Sequence, residues 1–310
     1  MRPAAWAPSF CARILSLRTA RCRVMALAML WQTRTHTFDL SHRALIMGVL
    51  NVTTDSFSDG GCFIDIERAV AHAHTMIEAG ADIIDVGGES TRPGAAPVEE
   101  AEEMERVLSV IDRLSTLKSQ LSTSFQISID TMKPNVARAA IEHGAEIVND
   151  VTGLRDPAMR EVVRTGGAGV IAMHMQGAPR DMQRAPHYDD VCGEIREFFR
   201  QTLVACLASG MDVTRLAFDP GIGFGKTVPH NLAILRNLDS MRVGGRPMVL
   251  GVSRKSVLGK VLGSDAIEDR AWPTVALTSY GRGRGANVFR VHDVLPNTHA
   301  LRMTEAIFAA

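Results

Sequence analysis

Short runs of apolar residues recur along the chain, and each gives way abruptly to polar residues. The first run covers residues 45–50 and leads into a polar stretch that closes at Gly60 and Gly61. A run of this length is typical of a buried strand, and a polar loop of about ten residues is longer than a simple turn requires. The pattern predicts a strand that presents a functional loop at its carboxyl end.

The same change from apolar to polar residues occurs eight times. The remaining apolar runs lie at residues 83–86, 127–129, 147–148, 169–173, 216–218, 248–252 and 288–289. Between the runs, apolar residues recur at the spacing of helices that bury one face. Alternating strands and helices require a parallel sheet with right-handed crossovers, and eight such units predict a single-domain α/β protein, a (β/α)8 TIM barrel. The alternative is a doubly wound open sheet, but no G-x-G-x-x-G pattern follows the first strand.

Residues that favour helix ends indicate where several helices begin and stop. Asp65 is predicted to cap the first helix, and Gly80 to lie just beyond its last turn. Pro134 is predicted to begin a helix that ends near Gly144. Apolar spacing predicts later helices at residues 191–207, 256–262, 267–280 and 300–309. Each of these helices follows one of the apolar runs, as the barrel requires.

The overall composition excludes several classes of protein. Apolar residues make up 46% of the 310 residues and charged residues 22%, as in a globular domain. Lysine plus arginine equals aspartate plus glutamate at 34 each, so no net charge favours nucleic acid or an anionic membrane as a partner. No apolar run approaches the ~20 residues of a membrane span. The five cysteines lack C-x-x-C spacing, which argues against a disulfide framework or a zinc site and favours a reducing compartment.

The first 38 residues differ from the rest of the chain, because they contain six arginines, no lysine and no acidic residue. This composition is typical of an organellar transit peptide. Met25 lies close to the first strand region, so a misassigned start and a disordered extension are equally open. The predicted division is an extension at residues 1–38 and a barrel at residues 39–310. The predicted location is the cytoplasm, or an organellar matrix if the extension is a transit peptide.

The carboxyl ends of barrel strands share one rim, so polar residues that are distant in sequence should converge there. The rim residues are Asn51, Thr91, Arg92, Asp130, Asn149, His174, Asp219, Ser253, Lys255, Arg290 and His292. The cationic members suit an anionic ligand such as phosphate. Asp130, Asn149 and Asp219 offer acceptors and one amide to a flat, nitrogen-rich heterocycle. The oxygen of Asn51 suits a hard cation such as the magnesium ion that pyrophosphate commonly brings.

Single residues on this rim also allow ordinary structural interpretations. Asp130 and Asp150 could each cap the helix that follows. Lys255 or Arg254 could be a solvated charge at the start of a helix. His174 could be a buried histidine held by the backbone, and this interpretation has about even weight with a functional one.

Two further patterns bear on anion binding. The glycine-rich residues 221–226 lack the residue order of a P-loop, so alone they are weak evidence for phosphate. Arg290 and His292 alternate along a predicted strand, so both side chains point the same way. The coincidence of polar residues at every strand end favours a binding site over separate structural roles.

Eight motifs at these strand ends resemble the dihydropteroate synthase family. They are MGVLNVTTDSFSDGG (47–61), DIIDVGGESTRPGA (82–95), ISIDTMKPNV (127–136), IVNDVTGL (147–154), MHMQGAPRDMQ (173–183), FDPGIGFGK (218–226), GVSRKS (251–256) and FRVHDV (289–294). The resemblance extends from about Asp39 to the C-terminus, and GGESTRPGA, SRKS and RVHDV together are highly specific. It implies a (β/α)8 fold and a reaction of folate synthesis, in which para-aminobenzoate displaces pyrophosphate from hydroxymethyl-dihydropterin diphosphate and forms dihydropteroate. It also implies Mg²⁺ as cofactor, a homodimer, and inhibition by sulfonamides.

The resemblance assigns roles to matching residues. Those implied to bind the pterin are Asp130, Asn149, Asp219, Lys255 and Thr91. Those implied to hold the pyrophosphate are Asn51, Arg290 and His292, with Asn51 also near the metal ion. Those implied to frame the aminobenzoate are Thr91, Arg92, Pro93, Phe224, Ser253 and Lys255. Asp130, Lys255 and Arg92 are the implied catalytic residues, and catalysis would come from stabilising the departing charge and positioning the amine.

The chain departs from the family pattern at Thr54, where the family usually has proline, and at residues 271–274 and 281–285. None of these carries an implied ligand. Two other functions stay open. One is a methyltransferase barrel that acts on methyltetrahydrofolate with a corrinoid partner, and the other is a paralogue that keeps the pocket without turnover. The Arg290 and His292 pair and the complete set of rim residues favour the synthase.

Overall fold

The computed structural model of the chain describes residues 28–52, 62–90, 96–121, 124–178 and 181–310, with side chains in the first helix from residue 66 onward. The strands are β1 (Leu30–Gln32), β2 (Thr37–Asp39), β3 (Leu45–Asn51), β4 (Ile83–Gly87), β5 (Gln126–Asp130), β6 (Ile147–Asp150), β7 (Gly169–Met173), β8 (Leu216–Asp219), β9 (Val249–Leu250) and β10 (Val288–Val291). Across the described ranges, β3 to β10 form one parallel sheet of eight strands, and β1 pairs with β2 in an antiparallel hairpin.

The parallel sheet closes on itself. Its strands are ordered β8-β7-β6-β5-β4-β3-β10-β9, and a parallel bridge between Phe218 and Met248 joins the two ends. The interiors of β4, β5 and β7 are buried throughout, as expected of parallel strands covered on both faces. The predicted (β/α)8 barrel is therefore confirmed, and a doubly wound open sheet is excluded.

Helices follow the strands around the barrel. They are α1 (Cys62–Glu78), α2 (Glu100–Gln120), α3 (Pro134–Glu142), α4 (Pro157–Gly166), α5 (Val191–Ala208), α6 (Val228–Arg236), α7 (Ser256–Leu262), α8 (Ala271–Gly283) and α9 (Val294–Ala309). Pro134 begins α3, as predicted. The prediction that Asp65 caps α1 is wrong, because α1 begins at Cys62. Helix α9 begins at Val294 and not at the predicted Ala300. Pro296 lies in the first turn of this helix, where the missing N–H of proline is tolerated. Of the helices described, none is long and apolar enough to cross a membrane.

The β1–β2 hairpin packs against the apolar interior of the barrel. Trp31 is 0% exposed and belongs to a cluster with one residue from each of several strands, among them Leu45, Ile147 and Val288. Its indole Nε1 donates to the carbonyl of Arg215 at 2.9 Å. A buried tryptophan with its N–H satisfied contributes a large apolar area without an unpaired donor. The hairpin is therefore an integral part of the barrel core.

Polar contacts fix the same hairpin to neighbouring connections. The hydroxyl of Thr33 donates to Oε1 of Gln126 at 3.0 Å, and Arg34 Nη1 donates to the carbonyl of Ile141 at 2.6 Å. The prediction of a separate extension at residues 1–38 is wrong for residues 28–38, which belong to the barrel. Residues 1–27 lie outside the described residues.

Deleting residues 1–24 is expected to leave the melting temperature unchanged. The described contacts of the amino-terminal region begin at Met29, which packs beside Trp31, so the deletion removes none of them. Thermal unfolding of the full chain and of the shortened chain measures the effect. A fall of several degrees would show that the deleted segment packs on the barrel. A second deletion that also removes β1 is the positive control, and it should lower the melting temperature strongly.

Candidate active site

The predicted rim residues within the described ranges do come together at the carboxyl end of the barrel. They are Asn51, Asp130, Asn149, Asp219, Ser253, Lys255, Arg290 and His292, with the predicted aminobenzoate residue Phe224 beside them. The remaining described rim candidate, His174, is instead buried against Lys226 and Phe198. Strand register explains part of this proximity, because Asp130 pairs with Gly87 on one side and with Asn149 on the other. The predicted residues Thr91, Arg92 and Pro93, and the divergent Thr54, lie outside the described residues.

Arg290 lies between two buried carboxylates at the centre of the rim. Its Nε donates to Oδ2 of Asp85 at 2.6 Å, and its Nη2 donates to Oδ2 of Asp130 at 2.7 Å. Asn149 donates from Nδ2 to the same Asp85 oxygen at 3.1 Å. The planar guanidinium suits this two-sided arrangement, which a lysine could not reproduce. The network therefore contains Arg290, which is assigned to the pyrophosphate, together with Asp130 and Asn149, which are assigned to the pterin.

Burial sets the electrostatics of this network. It raises the pKa of Asp130 to about 7, because desolvation and the negative Asp85 together outweigh the nearby Arg290. Burial opposes the charge of Arg290 as well, but the two carboxylates outweigh it and hold its pKa above the ordinary value. The second oxygens of Asp85 and Asp130 are buried and have no hydrogen-bond partner among the described residues. The network thus combines a cation with carboxylates, which are the acceptors that the N–H groups of a heterocyclic ligand require.

Sequence reasoning missed Asp85. It lies inside the apolar run of β4 and is 0% exposed. A charged residue within a buried strand needs a partner, and this requirement is the feature of the sequence that could have identified it. Asp85 orients both Arg290 and Asn149, so it is a positioning residue of the site.

Lys255 and Asp219 occupy the opposite side of the rim. Lys255 Nζ donates to the carbonyl of Ile222 at 2.6 Å and lies 4.1 Å from the centre of the Phe224 ring. Burial lowers the pKa of Lys255 to about 8, against the opposing influence of Asp219. Burial also raises the pKa of Asp219, whose Oδ1 accepts from the N–H of Gly221 at 2.6 Å. The interpretation of Lys255 as a solvated charge is wrong, since its ammonium points into the site.

Ser253 and His292 form a third contact. His292 Nδ1 lies 2.9 Å from the hydroxyl oxygen of Ser253, and the backbone N–H of His292 donates to the same oxygen at 3.1 Å. Arg254, the residue between Ser253 and Lys255, instead forms an exposed ion pair with Asp293. The β9–α7 connection therefore directs alternate residues into the site and away from it.

The helix-cap interpretations fail for both candidate aspartates. Helix α3 has Lys133, not Asp130, at its cap position. Asp150 accepts from the N–H groups of Thr152 and Leu154, both at 2.8 Å, and so stabilises the loop after β6 rather than a helix. Asp150 is structural, whereas Asp130 belongs to the rim network.

His174 is a buried histidine. Its Nδ1 lies 3.1 Å from Nζ of Lys226, and its ring meets the ring of Phe198 edge-on at 5.1 Å. Burial, followed by the nearby Lys226 and Arg155, lowers the pKa of His174 to about 2. The ring is neutral at physiological pH, and its unprotonated Nδ1 accepts a hydrogen bond from the lysine.

This burial predicts a pH dependence of stability. The folded pKa of His174 lies below the unfolded value of 6.5, so its contribution is present above pH ~6.5 and is lost as the pH falls, by up to about 1.4 kcal/mol per pH unit. The free energy of unfolding should therefore fall less between pH 7.5 and 5.5 in His174→Gln than in the wild type. Urea unfolding at several pH values measures both. Parallel pH profiles would contradict the assignment.

Asn51 is the residue that the family resemblance assigns to magnesium, and it lies at the end of β3. A side chain at Gly87 would lie 3.6 Å from Asn51 Oδ1 and from Asp130 Cβ, so the glycine leaves space between these two residues. Within the described ranges, no three His, Cys, Asp or Glu side chains gather as metal ligands. Magnesium usually keeps several waters and takes phosphate oxygens beside a few protein oxygens. The donor set fits an ion that arrives with a diphosphate.

Comparisons with known proteins agree with this geometry. The pterin binding enzyme family matches residues 47–292. The dihydropteroate synthase of Escherichia coli strain K12 is 43% identical over 274 residues, which are 88% of this chain and 95% of that protein. The Xanthomonas albilineans dihydropteroate synthase solved with 4-aminobenzoic acid is 41% identical, with a TM-score of 0.83 over 91% of this chain and 99% of that one. The Burkholderia cenocepacia enzyme complexed with 7,8-dihydropteroate is 38% identical, with a TM-score of 0.81 over 91% and 97%. The chain therefore belongs to the dihydropteroate synthase family of pterin binding enzymes.

Proposed function

We propose that the protein is a dihydropteroate synthase, a transferase that joins hydroxymethyl-dihydropterin diphosphate to para-aminobenzoate with release of pyrophosphate. The observation that carries this proposal is the rim network in which Arg290 bridges Asp85 and Asp130 and Asp85 also accepts from Asn149. It combines a cation for a diphosphate with carboxylate and amide groups for a pterin ring.

The pterin lies against the carboxylates in this proposal. Asp130 and Asp219 accept from ring N–H groups, Asn149 both donates and accepts, and Lys255 donates to a ring acceptor. Asp130 and Asp219 are buried, and an acceptor held in a water-poor site interacts more strongly than one in water. These contacts strengthen as the bond to the leaving group breaks and positive charge spreads over the pterin.

The leaving group lies near the cationic side of the rim. A guanidinium carries five N–H donors, so Arg290 can contact a phosphate oxygen while it holds both carboxylates. His292 is fixed through Ser253 and provides a second donor. Asn51 would hold the magnesium ion, which supplies charge neutralisation for the departing pyrophosphate. No covalent intermediate with the protein is required: the aryl amine forms the bond to the methylene carbon and loses a proton to solvent, while the diphosphate leaves with the electrons of the broken C–O bond.

The aminobenzoate lies beside the described residues Phe224 and Ser253, together with Thr91, Arg92 and Pro93 from the family resemblance. Phe224 contacts the Lys255 ammonium through its ring, and this contact supports a position for the aromatic substrate next to the pterin. Positioning the amine against the methylene carbon is the main contribution of these residues to the rate.

Pyrophosphate release tests the proposed function. The purified chain should release pyrophosphate only when pterin diphosphate, para-aminobenzoate and Mg²⁺ are all present. Release that does not depend on para-aminobenzoate would contradict the proposal, and corrinoid-dependent methyl transfer from methyltetrahydrofolate would establish the competing activity. A chain that binds both substrates without releasing pyrophosphate would be the inactive paralogue.

A homodimer in the cytoplasm is part of the proposal. Helices α8 and α9 pack against each other and expose several large apolar side chains. These are Trp272, Tyr280, Leu295, Met303, Ile307 and Phe308. Exposed apolar residues in this number support self-association. Light scattering of the purified protein should give twice the chain mass, and the monomer mass would contradict the dimer.

A further inference from the structure

Lys226, the last residue of the glycine-rich motif, points into the protein. It is 3% exposed. Its Nζ donates to the carbonyl of Phe224 at 2.9 Å, and it lies 3.1 Å from Nδ1 and 3.3 Å from the carbonyl oxygen of His174. Among the described residues, no carboxylate forms an ion pair with it, although Asp219 acts on it from a greater distance. A buried lysine without a paired carboxylate is uncommon and calls for a specific role.

The backbone around Lys226 requires close packing of two connections. Gly221 and Gly225 both have positive φ, at +67° and +63°. A side chain at Gly221 would clash with the carbonyl of His174, and one at Gly225 with the carbonyl of Gln176. The β8–α6 connection therefore lies directly on the backbone that follows β7, and only glycine allows this approach.

A second donor holds the same connection. The hydroxyl of Tyr188 donates to the carbonyl of Gly225 at 2.9 Å. With Lys226 bound to the carbonyl of Phe224, two successive carbonyls are fixed from the interior of the protein. Lys226, His174 and Tyr188 together form the buried anchor of residues 221–225.

The opposite face of residues 221–225 carries proposed ligands. The carbonyl of Ile222 accepts from Lys255, and the Phe224 ring lies under the same ammonium. A shift of this backbone would move Phe224 directly. It would move Lys255 less, because Asp219 also attracts that ammonium.

We infer that Lys226 is a positioning residue that, through His174 and the carbonyl of Phe224, sets the place of Phe224 for the aromatic substrate. The lysine of the glycine-rich motif thus serves the aminobenzoate rather than a phosphate. This inference rests on the proposed function, which identifies the aromatic substrate. The geometry of the buried anchor stands independently of it.

Lys226→Met tests the inference, because methionine keeps the length of the side chain and removes the donor. The replacement leaves no carboxylate uncompensated, so the barrel is expected to fold. The KM for para-aminobenzoate should rise roughly tenfold, because the carbonyl of Phe224 loses its buried donor and the Phe224 ring is held less firmly. The KM for the pterin diphosphate should change no more than about threefold, since the residues proposed to contact the ring and the leaving group are retained. Lys226→Gln keeps one donor and should give an intermediate KM.

Lys118→Met is the matched control. Lys118 is partly buried, and its Nζ lies 2.6 Å from Oε2 of the buried Glu146. The other oxygen of Glu146 accepts from Thr35 in the β1–β2 hairpin, so this ion pair lies at the hairpin and not at the rim. Its loss should lower stability and leave the KM for para-aminobenzoate unchanged. A comparable rise in this control would mean that general destabilisation, not positioning, explains the effect.

Amide hydrogen exchange provides a readout without turnover. In the wild type the N–H groups of Gly221, Gly223 and Phe224 are hydrogen-bonded. Lys226→Met should accelerate exchange at residues 221–225 but not in β3. Unchanged exchange together with an unchanged KM for para-aminobenzoate would overturn the inference. If the wild type releases no pyrophosphate, the proposed function fails, and the exchange comparison still decides whether the buried anchor exists.

Discussion

Replacing Arg290 with methionine is expected to lower kcat/KM by roughly 10- to 100-fold and to destabilise the protein by about 3–5 kcal/mol. The loss of activity follows from the removed contact to the leaving group and from the release of Asp130. The loss of stability follows because the buried carboxyl groups of Asp85 and Asp130 lose their shared cationic partner, and Asp130 must then either lie unpaired or take up a proton. Steady-state kinetics and urea unfolding measure the two effects separately.

Two further variants make this prediction specific. In the double variant Arg290→Met with Asp85→Asn, one of the two carboxylates that lost their partner is replaced by a neutral amide. This variant should recover part of the stability that Arg290→Met loses, but none of the activity. Arg164 pairs with Glu161 in an exposed contact, and Arg164→Met should change stability by less than about 1 kcal/mol. If Arg290→Met weakened only pyrophosphate binding and left pterin binding and stability intact, Arg290 would act on the leaving group alone.

Replacing Trp31 with alanine is expected to destabilise the barrel by about 3–5 kcal/mol. The change opens a cavity among the inward-facing strand residues and removes the indole donor from the carbonyl of Arg215. For a protein of this size the melting temperature should fall by roughly 10 °C. Thermal unfolding followed by circular dichroism measures the shift.

Leu30 provides the control within the same hairpin. It is 41% exposed, so Leu30→Ala should change stability by less than about 1 kcal/mol. Trp31→Phe keeps most of the apolar packing and should fall between the wild type and the alanine variant. Equal effects for Leu30→Ala and Trp31→Ala would show that the hairpin, and not the buried indole, determines stability.

The barrel could be predicted from the sequence because its strands are buried on both faces. Each such strand appears as a mainly apolar run, interrupted in β4 by Asp85 and in β5 by Ser128, and the polar residues that follow it mark the functional rim. The β1–β2 hairpin could not be predicted in the same way. Its strands have three residues each, too few for a periodic pattern, and Trp31 lies in an arginine-containing stretch that favours a targeting peptide.

The residues of the site could be predicted as members of a rim, but their contacts could not. Arg290 and Asp85 are 205 positions apart, and only closure of the barrel between β10 and β4 through β3 brings them together. The sequence assigns Arg290 to the pyrophosphate and Asp130 to the pterin, whereas in the structure the two side chains belong to one hydrogen-bonded network. The contact between His174 and Lys226 could not be predicted from the sequence either, because it depends on the positive φ of Gly221 and Gly225.

Mass spectrometry of the reaction product tests the central claim most directly. Purified protein incubated with pterin diphosphate, para-aminobenzoate and Mg²⁺ should yield 7,8-dihydropteroate, and Arg290→Met should yield far less at equal protein concentration. Absence of dihydropteroate with folded wild-type protein, under conditions in which both substrates bind, would contradict the proposal that this rim catalyses their condensation.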